Sequence, residues 1–201
     1  MPNCDCEVKI KNRDESRTLI ILLGINVFMF FVELTLGILS ESTALIADSL
    51  DMLADATVYG IGLYAVGRSA LAKINAASIS GVFQIILGVS VTLDVVRRLI
   101  WGSEPESSLI IAIGILALIA NTICLLLISK HKEGEVHMRA SWIFSKNDVI
   151  ANIGIIISGV LVYLLDSRFP DLIIGMLISI IIIRGGIYIL KDAHHEKQLQ
   201  S

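Results

Sequence analysis

The stretch ALIADSLDMLADATVYGIGLYA, residues 44–65, sets the terms for any fold this chain can adopt. It is about as long as one membrane crossing, and it holds Asp48, Asp51 and Asp55. At roughly 100° per residue, helix positions i, i+3 and i+7 fall within about 60° of one another, so the three carboxyls share one face. Each ionised Asp near the centre of a bilayer costs about 2.5–3.5 kcal/mol on the insertion scale. A helix that tolerates three of them on one stripe must turn that stripe toward protein, water or a cation. The pattern points to a site for a hard, oxygen-seeking cation. The plainer alternative is Asp side chains hydrogen-bonded to neighbouring helices, or a helix outside the membrane. It accounts for one buried Asp more readily than for three aligned ones.

Composition supports the membrane setting: 55% of the 201 residues are hydrophobic and 17% charged, with a mean hydropathy of +0.78. Apolar runs long enough to span fall at about 18–40, 43–66, 76–101, 107–129, 138–165 and 171–190. The expected fold is all-α, a polytopic six-helix transmembrane bundle over 18–190 between short tails at 1–17 and 191–201. The first 17 residues have no apolar core or small-residue cleavage site, so no signal peptide is read there. Lys9, Lys11, Arg13 and Arg17 precede span 1, and Arg68 and Lys73 follow span 2. Lys130, Lys132 and Arg139 follow span 4, and Lys191 and Lys197 follow span 6, whereas the opposite side has only Arg97, Arg98 and Arg168. This bias places both termini in the cytoplasm. The expected surroundings are a lipid bilayer, with no nucleic-acid partner.

The remaining polar residues are sparse enough to weigh singly. Asn26 and Glu33 in span 1 lie seven apart, on one face; they suit the lining of a cation path or simple bonding across helices. In span 3, Ala77 and Gly81 permit close helix contact, and Asp94 sits one turn from Arg97 and Arg98 as an ion pair. Asn121 is the one strong polar group of span 4, and Cys124 reads as a small core residue. Gly175 and Ser179 give the otherwise featureless span 6 a packing edge. Cys4 and Cys6 could capture a soft cation, but two thiols alone close no tetrahedral site. His131, His137, His194 and His195 read as solvated loop and tail residues.

Span 5 is the second informative element. Asp148 is its sole acid, with Asn147 adjacent, Ser145 and Asn152 on its face, and Lys146 turned away toward the tail side. Asp51-Met-Leu-Ala-Asp55 finds an echo in Asp148-Val-Ile-Ala-Asn152, in the middle helix of each three-helix half. Such halves insert in opposite orientations, so spans 2 and 5 run antiparallel and can face each other at mid-depth, as in transporters built from inverted halves.

Residues 26–56, NVFMFFVELTLGILSESTALIADSLDMLADA, resemble the first two helices of the cation diffusion facilitator transporters. The Asn and Glu of helix 1, the Gly before the turn, and ALIAD followed by D-x-x-x-D carry the likeness. FSKNDVIANIG, 144–154, resembles the family's fifth helix, where the metal pair is usually H-x-x-x-D. The resemblance spans about 18–195. It implies a secondary transporter that exports a divalent transition metal from the cytoplasm in exchange for protons, usually as a homodimer, with no resident cofactor. It also implies that Asp51 and Asp55 take the helix-2 ligand places and Asp148 the second helix-5 place. Phe144 stands where the family has His, leaving the fourth ligand to Asp48, Asn147, Asn152, Ser145 or water. The chain also stops where the family continues into a cytoplasmic metal-binding domain, so it resembles a short form. The inner membrane of a bacterium is the expected location.

Three carboxyls a few ångströms apart at low dielectric cannot all be ionised without a cation, so metal and protons must compete for them. An all-oxygen core without His leaves Zn²⁺, Cd²⁺, Co²⁺, Fe²⁺ and Mn²⁺ open, and family frequency favours zinc. Two other classes fit some of the same residues. One is an intramembrane aspartyl hydrolase using an Asp of span 2 with Asp148. The other is a non-transporting membrane metal sensor or partner protein.

Overall fold

The computed structural model describes residues 4–65, 70–130 and 136–199. They form six helices and no strand: α1 (Cys4–Leu39), α2 (Thr43–Ala65), α3 (Ala70–Trp101), α4 (Ser107–Ser129), α5 (Val136–Leu165) and α6 (Phe169–Leu199). The side chains of Cys4, Cys6, His131 and His137 lie outside the described residues, as do those of Lys9, Lys11, Arg13, Arg68, Lys73, Lys132 and Arg139. Both tails continue the neighbouring helix further than the apolar runs suggest, because neither 4–17 nor 191–199 contains a Gly or Pro that would end it.

Five segments are long and apolar enough to cross a membrane: Ser16–Leu39, Ile74–Trp101, Ser107–Ser129, Phe144–Leu165 and Phe169–Gln198. α2 is absent from that set for one reason, since every 18-residue window of its 23 residues contains Asp48, Asp51 and Asp55. Tertiary structure resolves the conflict. Among the described residues, α2 is the one helix in contact with all five others. The helix with three carboxyls on one stripe is therefore the one that touches every other helix. Apolar side chains point outward elsewhere: Phe28, Phe31, Ile79, Leu93, Leu126 and Leu164 are each more than half exposed. That is the surface of a protein whose solvent is lipid.

The helices pair chiefly as α1 with α2, α4 with α5, and α3 with α6. The α3–α6 seam is backbone on backbone. A Cβ on Gly81 would lie 2.9 Å from the Gly186 carbonyl oxygen, and one on Gly186 would lie 2.7 Å from that of Gly81. Ser179 donates to the Gly88 carbonyl at 3.2 Å and meets the Thr92 hydroxyl at 2.6 Å. Gly175 serves a different neighbour from the rest of the seam. A Cβ there would come within 2.8 Å of Thr43 Cγ2, so Gly175 lets the start of α2 seat on α6.

The end of the bundle that carries the α1–α2 turn is knotted by charge. Ser42 caps α2, accepting from the Leu45 N–H at 3.1 Å, and donates its hydroxyl to Asp171 at 2.5 Å. Asp171 of α6 also accepts the Thr43 and Ala44 N–H groups at 2.6 and 3.2 Å. A carboxylate from another helix thus satisfies orphan donors and complements the helix dipole. Asp94 binds Arg97 and Arg98, as the spacing predicts, and Arg98 reaches on to the Glu41 carbonyl.

Candidate cation site

α2 and α5 meet in antiparallel register through three rungs. Asn152 Nδ2 donates to Asp48 Oδ2 at 2.7 Å. Further along α2 the Asp55 carboxyl meets that of Asp148. Beyond it the Tyr59 hydroxyl lies 3.3 Å from Ser145 Oγ and donates to Asp55 Oδ2 at 3.0 Å. As α2 descends from Asp48 to Asp55 to Tyr59, its partners step back along α5 from Asn152 to Asp148 to Ser145. This is the facing arrangement that the recurrent five-residue pattern predicts.

The acids form two tiers. Glu33 of α1 is fully buried, its carboxyl against that of Asp48 and close to Asp51, and neither of its oxygens receives a hydrogen bond. Asp48 is 1% exposed and belongs to this deep tier. Asp55 at 5%, Asp51 at 8% and the half-buried Asp148 make the more accessible one. Asp51 and Asp148 receive no hydrogen bond from any described residue, and each lies within electrostatic reach of Asp48 and Asp55. Carboxyls in contact away from water hold a proton or a cation between them. Among the described residues, no three His, Cys, Asp or Glu side chains converge closely enough to enclose a metal ion. The carboxyls meet in pairs, with Asp51 standing off.

The remaining sequence candidates separate by partner. Asn152 Oδ1 accepts from Asn121 Nδ2 at 3.0 Å while its amide nitrogen serves Asp48, so both ends are engaged. Asn147 is half-buried, with no hydrogen bond to a described residue. Asn26 bonds to the Leu22 carbonyl at 2.9 Å and approaches Cys124 Sγ at 3.9 Å, facing α4 rather than the acidic row. Phe144 is half-buried one turn before Asp148. Lys146 is exposed, its Nζ 6.0 Å from the Trp142 ring centroid.

Tyr59, and Asn121 as the end of the amide chain, are not assigned to this network from the sequence, nor is Asp171 to the start of α2. Tyr59 was findable, since it follows Asp55 by one turn and continues the acidic stripe. Asp171 was not, because its partners are backbone groups more than 120 residues away.

The transmembrane domain model of the cation efflux family matches residues 19–196. Zinc transporter ZitB of Yersinia pestis is 26% identical over 199 residues, covering 90% of this chain and 62% of that protein. The vacuolar zinc transporter ZRC1 of Saccharomyces cerevisiae is 34% identical over 133 residues, 59% of this chain and 30% of its own. The cadmium, cobalt and zinc/H(+)-K(+) antiporter of Bacillus velezensis is 22% identical over 173 residues, 79% and 55%. The chain therefore spans less than two thirds of the length of these relatives. The matched family consists of transporters and not enzymes, which sets aside the hydrolase reading. Apolar helices and a transmembrane family together make this an integral, multi-pass membrane protein. The chain belongs to the cation efflux family, the cation diffusion facilitators.

Proposed function

We propose that this chain is a secondary transporter that moves divalent transition-metal cations, zinc foremost, out of the cytoplasm in exchange for protons. The observation that carries the reading is the meeting of Asp55 and Asp148 across the α2–α5 contact, with Asp51 in reach and Asp51 and Asp148 without donors. Asp51, Asp55 and Asp148 are the proposed ligands, and water or Asp48 completes the set. Asn152 holds Asp48 in place, because its oxygen is committed to Asn121. Binding draws Asp51 toward the Asp55–Asp148 pair and displaces protons, since carboxylate ligands must be deprotonated. When the site faces the other side, protons return and the metal leaves. Alternation follows from the antiparallel halves rocking about a site at mid-depth. All six helices span the membrane in this reading, α2 included. Both termini face the cytoplasm of a bacterial cell, and the protein works as a homodimer in its plasma membrane.

The test is uptake by purified protein in vesicles with an imposed pH gradient, across zinc, cadmium, cobalt, iron and manganese. Gradient-dependent uptake that collapses with a protonophore is expected. Saturable binding with no uptake of any metal would instead make the protein a sensor or partner.

A further inference from the structure

We infer that Tyr59 sets the metal preference of the carboxyl site by committing one oxygen of Asp55 to a hydrogen bond. The inference rests on the reading of Asp51, Asp55 and Asp148 as ligands. Tyr59 is 1% exposed and Ser145 equally so, and their hydroxyls lie 3.3 Å apart. A phenol has one proton to give, and an ionised carboxylate can only accept. The Tyr59 proton therefore goes to Asp55 Oδ2 at 3.0 Å, and Ser145 donates to the phenol oxygen. A buried hydroxyl stripped of its partner costs stability, so the arrangement persists when the carboxyls rearrange. Ser145 belongs to α5, so the bridge also ties that helix to Asp55 one turn past the carboxyl contact.

Coordination number gives the consequence. Zinc is satisfied by four ligands, each carboxylate lending a single oxygen. Manganese prefers six oxygens, which a small carboxylate set reaches by binding through both oxygens of a side chain. With Oδ2 occupied by the phenol, Asp55 is steered to one-oxygen binding, and the site leans toward the smaller coordination number. Tyr59 is thus a positioning residue that acts through Asp55 and determines specificity.

The experiment compares zinc and manganese binding and uptake by the full chain in vesicles for Tyr59→Phe, Ser145→Ala and Asp55→Asn. Tyr59→Phe should lower the zinc-to-manganese affinity ratio by about tenfold, the lower end of what losing a ligand's supporting partner costs. Ser145→Ala should move it less, in the same direction. A folded Tyr59→Phe protein with an unchanged ratio overturns the inference. Should that variant fail to fold, an unchanged ratio in Ser145→Ala overturns it instead. Asp55→Asn separates the two levels: if it binds both metals as the parent does, the ligand assignment itself fails. If it loses both while Tyr59→Phe leaves the ratio unmoved, only the role of Tyr59 fails.

Discussion

Two groups of acids occupy this bundle, and they differ in what faces them. At the end with the α1–α2 turn, Asp171 takes two backbone N–H groups and a hydroxyl, Asp94 takes two arginines, and Glu41 takes the Glu104 N–H. At the α2–α5 contact, Glu33, Asp51 and Asp148 take nothing from the described residues, Asp48 takes one amide and Asp55 one phenol. Removing an ionised group from water is repaid only where donors or counter-charges surround it. The first group is complete as it stands and holds the start of α2 against α6. The second lacks such donors, and on the proposed reading it acquires its partners, protons or a cation, from outside the fold. Asp171 and Glu33 are equally buried, and on the proposed reading donor supply separates the acid that builds the protein from the acids that bind a cation.

The sharpest way to break this contrast is to remove one acid from each group. Asp148→Ala should lower flux of every metal by more than about 100-fold, beyond the loss seen when only a ligand's supporting group is removed. Its thermal midpoint should stay at or above that of the parent, because a carboxyl without donors leaves. Asp171→Ala should do the reverse, keeping metal affinity while losing about 2 kcal/mol of stability, the upper end for a lost helix cap. Measured side by side by vesicle flux and thermal unfolding, a well-folded Asp171→Ala protein with abolished metal binding would erase the distinction.

A second, smaller effect sharpens the account of the working group. Phe144→His puts an imidazole one turn before Asp148 and gives the mixed nitrogen and oxygen set that suits zinc. The zinc-to-manganese uptake ratio should rise several-fold, opposite in sign to Tyr59→Phe. An unmoved ratio in a folded protein would mean that Phe144 does not border the site. The smallest effect is expected from the thiols. Cys4→Ser combined with Cys6→Ser should leave maximal flux within about twofold, since two soft ligands cannot complete a transport site. Complete loss of transport in that double variant would show that the carboxyl cluster is not the whole site.

Much of this is legible in the sequence. Helix periodicity places Asp48, Asp51 and Asp55 on one stripe whatever surrounds them, and hydropathy marks the remaining spans. The Asp94–Arg98 pair is equally local, one turn apart on one helix. The facing of α2 and α5 was legible too, since the echo of Asp51–Asp55 in Asp148–Asn152 carries an orientation as well as a composition. What periodicity cannot carry is distance between helices. It put Asn26 and Glu33 on one face of α1, yet Asn26 turns to Cys124 of α4 and Glu33 to Asp48 of α2. Likewise Gly175 and Ser179 share an edge, but one receives α2 and the other α3.

Local covalent order thus settles which residues share a face, because 3.6 residues per turn is a property of the backbone alone. It also marks most of the segments apolar enough to cross a bilayer, because the length needed is set by the bilayer's thickness. Which acids find donors was decided only when the helices packed. Asp171 meets the start of α2 because Gly175 allows the close approach, and Asn152 is bound at both ends because α4 brings Asn121 beside it. Those contacts join residues far apart in the chain, and each depends on a rotation and separation of helices that no single stretch of sequence encodes.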